Sequence, residues 1–582
     1  MVKARVVKLA GKGMEGVRAH LRYIQRDGVT REGEHGRLYG ADQEMADGKA
    51  FLERGANDRH QFRFIVAPED GAEYDDLEPL TRRLMAQIEE DLGTRLDWVA
   101  VDHFNTGHPH THIIVRGVDE RGGDLVIARD YISSGIRERV AELVSLDIGP
   151  RTDREIEMRL RDEMDEERFT SLDRRLLRMR DGELVVLPSE HDAFRQTLFA
   201  GRLKKLERLG LAEELLPGRW RLTDDLEDTL RRMAERGDII KTMHREMTEK
   251  GLDRSATDYA IHDPSARDAE AVVGRVVARG LSDELRDRHY LIVDGFDGRV
   301  HHIDIGKGEA TEPTPEGAIV RVTTKRAELR QADRTVAEIA SANSGRYSID
   351  IHLKHDPHAS EEFAEALVRR LEAMRRTTGG VTREPNGVWI IAPDHLDRVA
   401  EYEGIQAKAT PVLVETLSVI PLERQIAANG ATWLDRELLA DRPERLRDSG
   451  FGRDVREAMN RRRQWLIAEN LAHEQQGRVA YRADMLAVLR RRELIRVAGQ
   501  LSEQLGLAYV EARPGEQIEG ALRRSVELAS GKFAVVEKSR EFTLVPWRPV
   551  LERHIGQQIS GVMREEGVSW SIGRQRSGPG VS

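Results

Sequence analysis

The sequence predicts an α+β protein whose N-terminal part is an antiparallel sheet with helices packed against it. Two short β-branched runs, 98–103 and 110–116, are separated by turn residues and predict a β-hairpin. Between residues 77 and 92, leucine and isoleucine recur at helical spacing, which predicts a helix packed on that sheet. At 582 residues the chain is too long for one hydrophobic core, and we expect three or four domains.

The composition narrows the class of protein. The chain has no cysteine, which excludes disulfides and thiolate metal sites and fits a reducing, cytoplasmic environment. Charged residues make up 33% of the chain and the net charge is −10, which indicates a soluble protein without a global basic field. A local groove on an acidic protein can still be positive, so DNA remains a possible partner. The sequence shows no signal peptide and no apolar run that would span a bilayer, and we expect no membrane insertion.

The predicted hairpin brings three histidines together. Side chains alternate along a strand, so His110 and His112 share one face, and the turn brings His103 back beside them. Three imidazoles leave coordination positions open for substrate oxygens, which is typical of a catalytic rather than a structural metal centre. Neutral imidazoles suit zinc, manganese and other divalent ions, so this pattern does not select the metal.

Tyr23 is the candidate nucleophile. Val17, Leu21 and Ile24 recur at helical spacing and predict a buried stripe, which leaves Tyr23 one position off the stripe and able to face a cleft. A phenol has a pKa of about 10, so its attack on a phosphodiester needs a base and a cation that stabilises the developing charge. The predicted metal centre would supply the cation.

Other side chains near these motifs have weaker claims. Arg22 and Arg26 flank the tyrosine and are candidates for holding DNA phosphates. Tyr39 and Tyr131 are alternative nucleophiles, disfavoured because neither lies in the N-terminal segment LRYIQRDG that contains Tyr23. Strand alternation turns Asp102 away from the histidines, which disfavours it as the proton acceptor.

Three segments in order, LRYIQRDG, HQFRFIVAPEDG and HFNTGHPHTHIIV, resemble the three motifs of plasmid mobilisation relaxases of the T-DNA border endonuclease kind. The resemblance, to the MobP-type conjugative relaxases, covers about the first 150 residues. It implies the HUH endonuclease fold, with Tyr23 as nucleophile and His103, His110 and His112 as ligands of Mg²⁺ or Mn²⁺.

The resemblance also implies an activity and its setting. Such an enzyme nicks single-stranded DNA at a transfer origin, forms a 5′-phosphotyrosine adduct and can rejoin the strand. The implied partners are accessory relaxosome proteins and a type IV coupling protein. The implied location is the bacterial cytoplasm, followed by transfer to the recipient cell attached to DNA.

Two other functions compete with this one. His108, His110 and His112 also fit the histidine-triad pattern of nucleotide hydrolases, in which the middle histidine is the nucleophile and no metal is needed. That interpretation leaves Tyr23 and His103 without a role. A non-catalytic DNA-binding regulator of a mobile element is the second alternative.

Changes in composition and hydrophobic periodicity along the chain predict five regions. They are a nicking domain at 1–150, a helical connector with a winged-helix-like domain at 151–260, a small β-barrel at 261–330, an α/β region at 331–425, and a helical region ending in a small β unit at 426–582.

The winged-helix prediction carries a DNA-binding hypothesis. A helix that ends at Gly210 is followed by a hairpin over residues 211–222, the order found in winged helices. Arg202, Lys204 and Lys205 are predicted on the exposed face of its recognition helix, where they would contact DNA. Many winged helices bind protein instead.

Overall fold

The structure is a computed structural model. It describes residues 1–9, 17–18, 20–21, 24–25, 29–31, 34–104, 109–149, 152–181, 184–187, 192–266, 269–283, 288–307, 314–379, 381–475, 477–564 and 567–570. The chain divides into two compact units. The first comprises Met1–Asp238 with Asp283–Arg288, and the second comprises Ile239–Ser282 with His289–Ser582.

A four-stranded antiparallel sheet forms the centre of the N-terminal region. Its strands are β1 (Val2–Lys8), β2 (His60–Val66), β3 (Trp98–His103) and β4 (His110–Arg116), in the order β1-β2-β4-β3. The hairpin predicted from the sequence is confirmed as β3 and β4. Its β-branched residues favour strands because they pack well on a pleated, buried surface.

Helices cover both faces of this sheet. They are α1 (Gly48–Arg54), α2 (Glu78–Leu92) and α3 (Ile136–Ile148). The predicted helix is confirmed as α2, whose Leu84 and Ile88 pack on one face of the sheet. On the other face, Leu21 and Ile24 pack against the hairpin together with the side chain of Phe51 from α1. The histidines lie at the ends of the two strands on this second face.

A helical segment with a small sheet follows. Its elements are α4 (Asp153–Asp165), α5 (Ser171–Met179), β5 (Val185–Val186), α6 (Ala193–Arg208), β6 (Ala212–Leu216) and β7 (Arg219–Leu222), with strand order β5-β7-β6. This is the helix-then-hairpin order that the sequence predicts. The predicted exposure of Arg202 is wrong, since its side chain is fully buried in an ion pair with Asp173.

After the long helix α7 (Leu226–Glu249), the chain forms a six-stranded sheet. Its strands are β8 (Tyr259–Ile261), β9 (Val272–Asp283), β10 (Arg288–Gly295), β11 (Val300–Lys307), β12 (Ile319–Thr324) and β16 (Val412–Ser418), in the order β16-β12-β9-β10-β11-β8. The small β-barrel predicted over 261–330 is therefore wrong. In the described residues the sheet stays open, and an edge strand comes from residues well beyond 330.

An α/β segment lies between β12 and β16. It contains α8 (Gln331–Ala342), β13 (Arg346–Tyr347), α9 (Ile349–His355), α10 (Glu361–Thr377), β14 (Thr382–Arg383), β15 (Trp389–Ile390) and α11 (His395–Ala409). Its core includes Tyr347, Trp389 and Leu371.

The C-terminal part ends in a second six-stranded sheet. Its helices are α12 (Leu422–Gln425), α13 (Trp433–Leu438), α14 (Gly450–Ala468) and α15 (Met485–Leu505). Its strands are β17 (Ala472–Gln475), β18 (Arg478–Tyr481), β19 (Ala508–Tyr509), β20 (Gln517–Leu528), β21 (Gly531–Glu537), β22 (Glu541–Pro546), β23 (Gln558–Arg564) and β24 (Gly567–Trp570). The strands β17 and β18 form a hairpin, and the others form a sheet in the order β19-β22-β21-β20-β23-β24.

Throughout the described part of the chain, no helix combines the length and the apolar character needed to cross a lipid bilayer.

Candidate metal centre

The register of β3 and β4 sets the positions of the three predicted ligands. His103 is paired directly with His110, so their side chains lie on the same face, and His112 is two residues further along that face. The ring centroids are 5.2 Å apart for His103 and His110, 4.4 Å for His103 and His112, and 5.1 Å for His110 and His112. One ligand atom from each ring lies within 4.8 Å of the others, and all three side chains are buried.

His103 is held by a main-chain contact. Its Nε2 lies 2.7 Å from the carbonyl oxygen of Ile24. A carbonyl oxygen only accepts hydrogen bonds, so Nε2 carries the proton and Nδ1 has the lone pair of the neutral ring. A histidine that binds a metal with one nitrogen commonly donates from the other to a carbonyl or carboxylate, which orients the ring.

The donor set fits a divalent metal. Three neutral imidazoles in a buried cluster can provide three nitrogen ligands and leave other positions open for water or substrate oxygens. Imidazole suits zinc, copper, iron and nickel, so the ligands do not choose among these metals.

Three of the predicted site residues, Tyr23, Arg22 and Arg26, lie outside the described residues. The described residues beside them, Leu21 and Ile24, pack against the hairpin that carries the histidines. Of the described residues in this segment, Ile24, which follows Tyr23 in the sequence, contacts the histidine cluster through its carbonyl oxygen.

His20 was not singled out by the sequence analysis. Its side chain is buried, and its ring meets that of His112 edge-on with centroids 6.3 Å apart. The available signal was its place three residues before Tyr23, which is one turn of the predicted helix. A fourth imidazole thus borders the cluster without being among the three ligand atoms.

The alternative tyrosines point away from the cluster. Tyr39 is buried on the opposite face of the sheet, and its hydroxyl donates to Asp102 at 2.8 Å. Burial raises the pKa of Tyr39 well above its usual value, which disfavours a phenolate there. The hydroxyl of Tyr131 donates to Asp91 at 2.6 Å, and burial and that bond raise its pKa as well.

Asp102 also faces away from the histidines, as strand alternation predicts. Its Oδ1 accepts hydrogen bonds from Tyr39 and from the Thr111 hydroxyl at 2.6 Å, and burial raises its pKa to about 6. The side chain of Asp102 therefore links Tyr39 to the two strands on the face of the hairpin opposite the histidines. His108, on which the histidine-triad alternative depends, lies outside the described residues.

The lysines predicted to contact DNA are ion-paired. Lys204 lies 3.1 Å from Glu207 and 2.9 Å from Glu214, and Lys205 lies 2.8 Å from Glu167. These carboxylates cancel much of the positive charge that α6 would otherwise present to a phosphate backbone.

The antiparallel sheet with three converging histidines belongs to a relaxase nuclease domain. Residues 23–143 match the family model described as the MobA/VirD2-like relaxase nuclease domain, which identifies a relaxase of the HUH type with a large C-terminal extension. Residues 199–579 match the model described as a protein of unknown function, DUF3363, and the chain belongs to that family. Neither the curated proteins nor the solved structures contain a match to this chain.

Proposed function

We propose that this relaxase nicks single-stranded DNA at a transfer origin by tyrosine transesterification, with Tyr23 as the nucleophile. The observation that carries the proposal is the hydrogen bond from His103 to the carbonyl oxygen of Ile24, the residue that follows Tyr23. This bond links the segment of the nucleophile to the histidine cluster.

The proposed step exchanges one phosphodiester for another. The phenol oxygen of Tyr23 forms a bond to phosphorus, and the bond between phosphorus and the 3′-oxygen breaks. The phenol proton passes to a base, and the departing 3′-oxygen takes up a proton to become a 3′-hydroxyl. Because the phosphoester bond energy is retained in the 5′-phosphotyrosine, the same site can run the step backwards and rejoin the strand.

His103, His110 and His112 would hold the metal, for which Mg²⁺ or Mn²⁺ is proposed. Bound there, the ion supplies Lewis-acid stabilisation of charge on the non-bridging phosphate oxygens. The arginines that flank the nucleophile, Arg22 and Arg26, are proposed to hold neighbouring phosphates.

The setting proposed for this activity is conjugative transfer. The adduct keeps the protein on the 5′ end of the strand, which suits delivery from a bacterial cytoplasm to a recipient cell. Accessory relaxosome proteins and a type IV coupling protein are the proposed partners.

The test is covalent capture. The full chain is mixed with Mn²⁺ or Mg²⁺ and single-stranded DNA that covers the transfer origin of its own element, and adducts are resolved on a denaturing gel. Tyr23→Phe should abolish the adduct, and Tyr39→Phe, the matched control, should retain it. An undiminished adduct with Tyr23→Phe would assign the nucleophile to another residue. Release of free nucleotide without metal, dependent on His110, would instead support the histidine-triad hydrolase.

A further inference from the structure

The same order of elements occurs twice in the C-terminal extension. The first winged unit, residues 170–222, contains α5, the short strand β5, α6 and the hairpin β6-β7, and the long helix α7 follows it. The strand β5 has no counterpart among the described residues of the second unit. The second winged unit, residues 432–481, contains α13, α14 and the hairpin β17-β18, and the long helix α15 follows it. Each long helix leads into a six-stranded sheet.

The two sheets have the same topology. Written from the parallel edge pair, the orders are β8-β11-β10-β9-β12-β16 and β19-β22-β21-β20-β23-β24. Gly274 and Gly520 occupy equivalent points, since a Cβ at either would collide with a carbonyl oxygen of the neighbouring strand, that of Asp294 or that of Glu537. The α/β segment between β12 and β16 is an insertion into the first copy.

A buried arginine fixes the alignment of the two winged units. Arg202 donates from Nε and Nη2 to the two carboxylate oxygens of Asp173, both at 2.8 Å. Arg462 makes the same pair of bonds to Asp435, again both at 2.8 Å. Each aspartate also completes the capping box at the start of its own helix, Asp173 in α5 and Asp435 in α13.

The end of each second helix confirms this alignment. Gly210 and Asn470 both have positive φ, 74° and 60°, where the chain turns from the helix into the hairpin. The next residue donates back to the helix in both units, Leu211 to Leu206 at 2.8 Å and Leu471 to Leu466 at 2.9 Å. Residues 200, 201 and 204 of α6 therefore correspond to 460, 461 and 464 of α14.

The outer face of α6 is contacted by α4 at one point, and its cations are paired with carboxylates. A Cβ at Gly201 would collide with the side chain of Met164, because α4 packs against the helix there. Lys204 is paired with two glutamates, and Arg208 lies 3.9 Å from Asp165. With its cations paired, this face has little net positive charge to offer a polyanion.

The equivalent face of α14 is open and carries two arginines against one carboxylate, Glu457. Its exposed residues recur at helical spacing: Arg453, Glu457, Asn460, Arg461, Gln464 and Ala468. Among the described residues, neither Arg453 nor Arg461 has an ion-pair partner. Arg463, at the border of the face, bonds to two neutral groups, the hydroxyl of Tyr481 at 3.3 Å and the side-chain oxygen of Asn460 at 2.9 Å.

The side chains on this face match the edges of base pairs. Arginine donates to guanine, while asparagine and glutamine form paired hydrogen bonds with adenine, and the major groove of B-DNA is wide enough for a helix. In a winged unit the helix before the hairpin is the one that enters the groove. We propose that the second winged unit binds double-stranded DNA through α14, whereas the first winged unit does not. This proposal does not depend on the nicking activity.

The chain lacks cysteine, so a single introduced cysteine can be labelled without background. Asn460→Cys and the matched Ala200→Cys, both at exposed positions, are coupled to an iron chelate that cleaves DNA by hydroxyl radicals. With a radiolabelled duplex, the label at 460 should cut a narrow set of positions and the label at 200 should not. Equal cutting from both positions, or cutting from 200 alone, would overturn the proposal.

A binding assay tests the charges themselves. Binding of a random-sequence duplex of about 30 base pairs is followed by fluorescence anisotropy at several salt concentrations, with EDTA present so that no nicking occurs. Arg453→Ala/Arg461→Ala should weaken binding about tenfold or more and reduce the salt slope by about two. The matched control, Lys204→Ala/Arg208→Ala, should change neither. Unchanged duplex binding by the α14 variant overturns the proposal, and so does a loss confined to single-stranded DNA.

Discussion

The imidazole of His103 donates a hydrogen bond to the main-chain carbonyl oxygen of Ile24, with 2.7 Å between nitrogen and oxygen. The bond joins two sequence motifs that are nearly 80 residues apart. It orients the first of three clustered imidazoles, and it attaches the chain next to Tyr23 to the strand that carries that imidazole.

Removing one imidazole should weaken metal binding and, with it, formation of the covalent adduct. His112→Ala leaves two ligands, so we expect Mn²⁺ affinity, measured by calorimetry, to fall at least about 100-fold and adduct formation to fall with it. EDTA should have the same effect on the wild-type protein, reversed by added Mn²⁺.

The matched control for that variant is His60→Ala. His60 lies in the same sheet and also contacts a main-chain carbonyl, that of Leu125 at 3.0 Å, but it is not part of the cluster. Its loss should leave Mn²⁺ affinity unchanged. Full adduct formation by His112→Ala would contradict the ligand assignment.

The hydroxyl of Tyr39 should matter for stability and not for chemistry. Tyr39→Phe removes one of the two hydroxyl donors to the buried carboxylate of Asp102, which we expect to cost about 1–3 kcal/mol. Tyr39 and Ala100 of β3 are also joined by two main-chain hydrogen bonds, so loosening Tyr39 should expose β3. Hydrogen exchange of the β3 amides, measured by mass spectrometry on the full chain, should therefore become faster. Loss of the covalent adduct with unchanged exchange rates would instead mark Tyr39 as a reacting group.

The buried ion pair of the first winged unit should be far more costly to break than its surface pair. Arg202→Ala leaves the carboxylate of Asp173 buried without its cation, and we expect a loss of about 3–5 kcal/mol. Lys205→Ala removes a pair whose glutamate is exposed, and should cost less than about 1 kcal/mol. Hydrogen-exchange protection of α5 and α6 would compare them, and equal protection in the two variants would contradict the structural role of Arg202.

Acid should weaken the first six-stranded sheet through His302. This side chain is buried against Tyr290, with ring centroids 4.7 Å apart, and burial lowers the pKa of His302 to about 4. Between that pH and the ordinary histidine pKa of about 6.5, the unfolded chain binds the proton and the folded chain does not. The free energy of unfolding is therefore highest above pH 6.5, and it falls by on the order of 2–3 kcal/mol as the pH drops towards 4.

His302→Phe keeps a ring against Tyr290 and removes the titrating group. In this variant the exchange protection of β10 and β11 should depend less on pH between 7 and 4.5 than in the wild type. His355→Phe, a substitution at an exposed histidine of α9, should leave the pH dependence unchanged. The same pH dependence in all three proteins would contradict the assignment to His302.

Local patterns were sufficient for the metal centre. The alternation of side chains along β3 and β4 depends only on backbone geometry, so the shared face of His103, His110 and His112 followed from their spacing and the turn between the strands. The helix α2 was equally predictable, because its apolar stripe repeats with the helical period.

Contacts between segments that are far apart in the chain could not be predicted from such local patterns. Arg202 and Lys204 are two residues apart, so helix geometry puts them on nearly opposite sides of α6. Which of the two sides is buried is decided by the packing of α4 and α5. The predicted barrel failed for a similar reason, since its sixth strand is supplied from beyond a long insertion.

Short-range order therefore determined the class of this protein: a hairpin with three histidines, preceded by a tyrosine in a helix predicted from sequence, is defined by neighbours in the chain. Tertiary structure alone revealed that the extension is duplicated and that one copy pairs the cations of its helix face with carboxylates where the other does not. The physical reason is that the burial and neutralisation of a charged side chain depend on which segments pack around it, and those segments are remote in sequence.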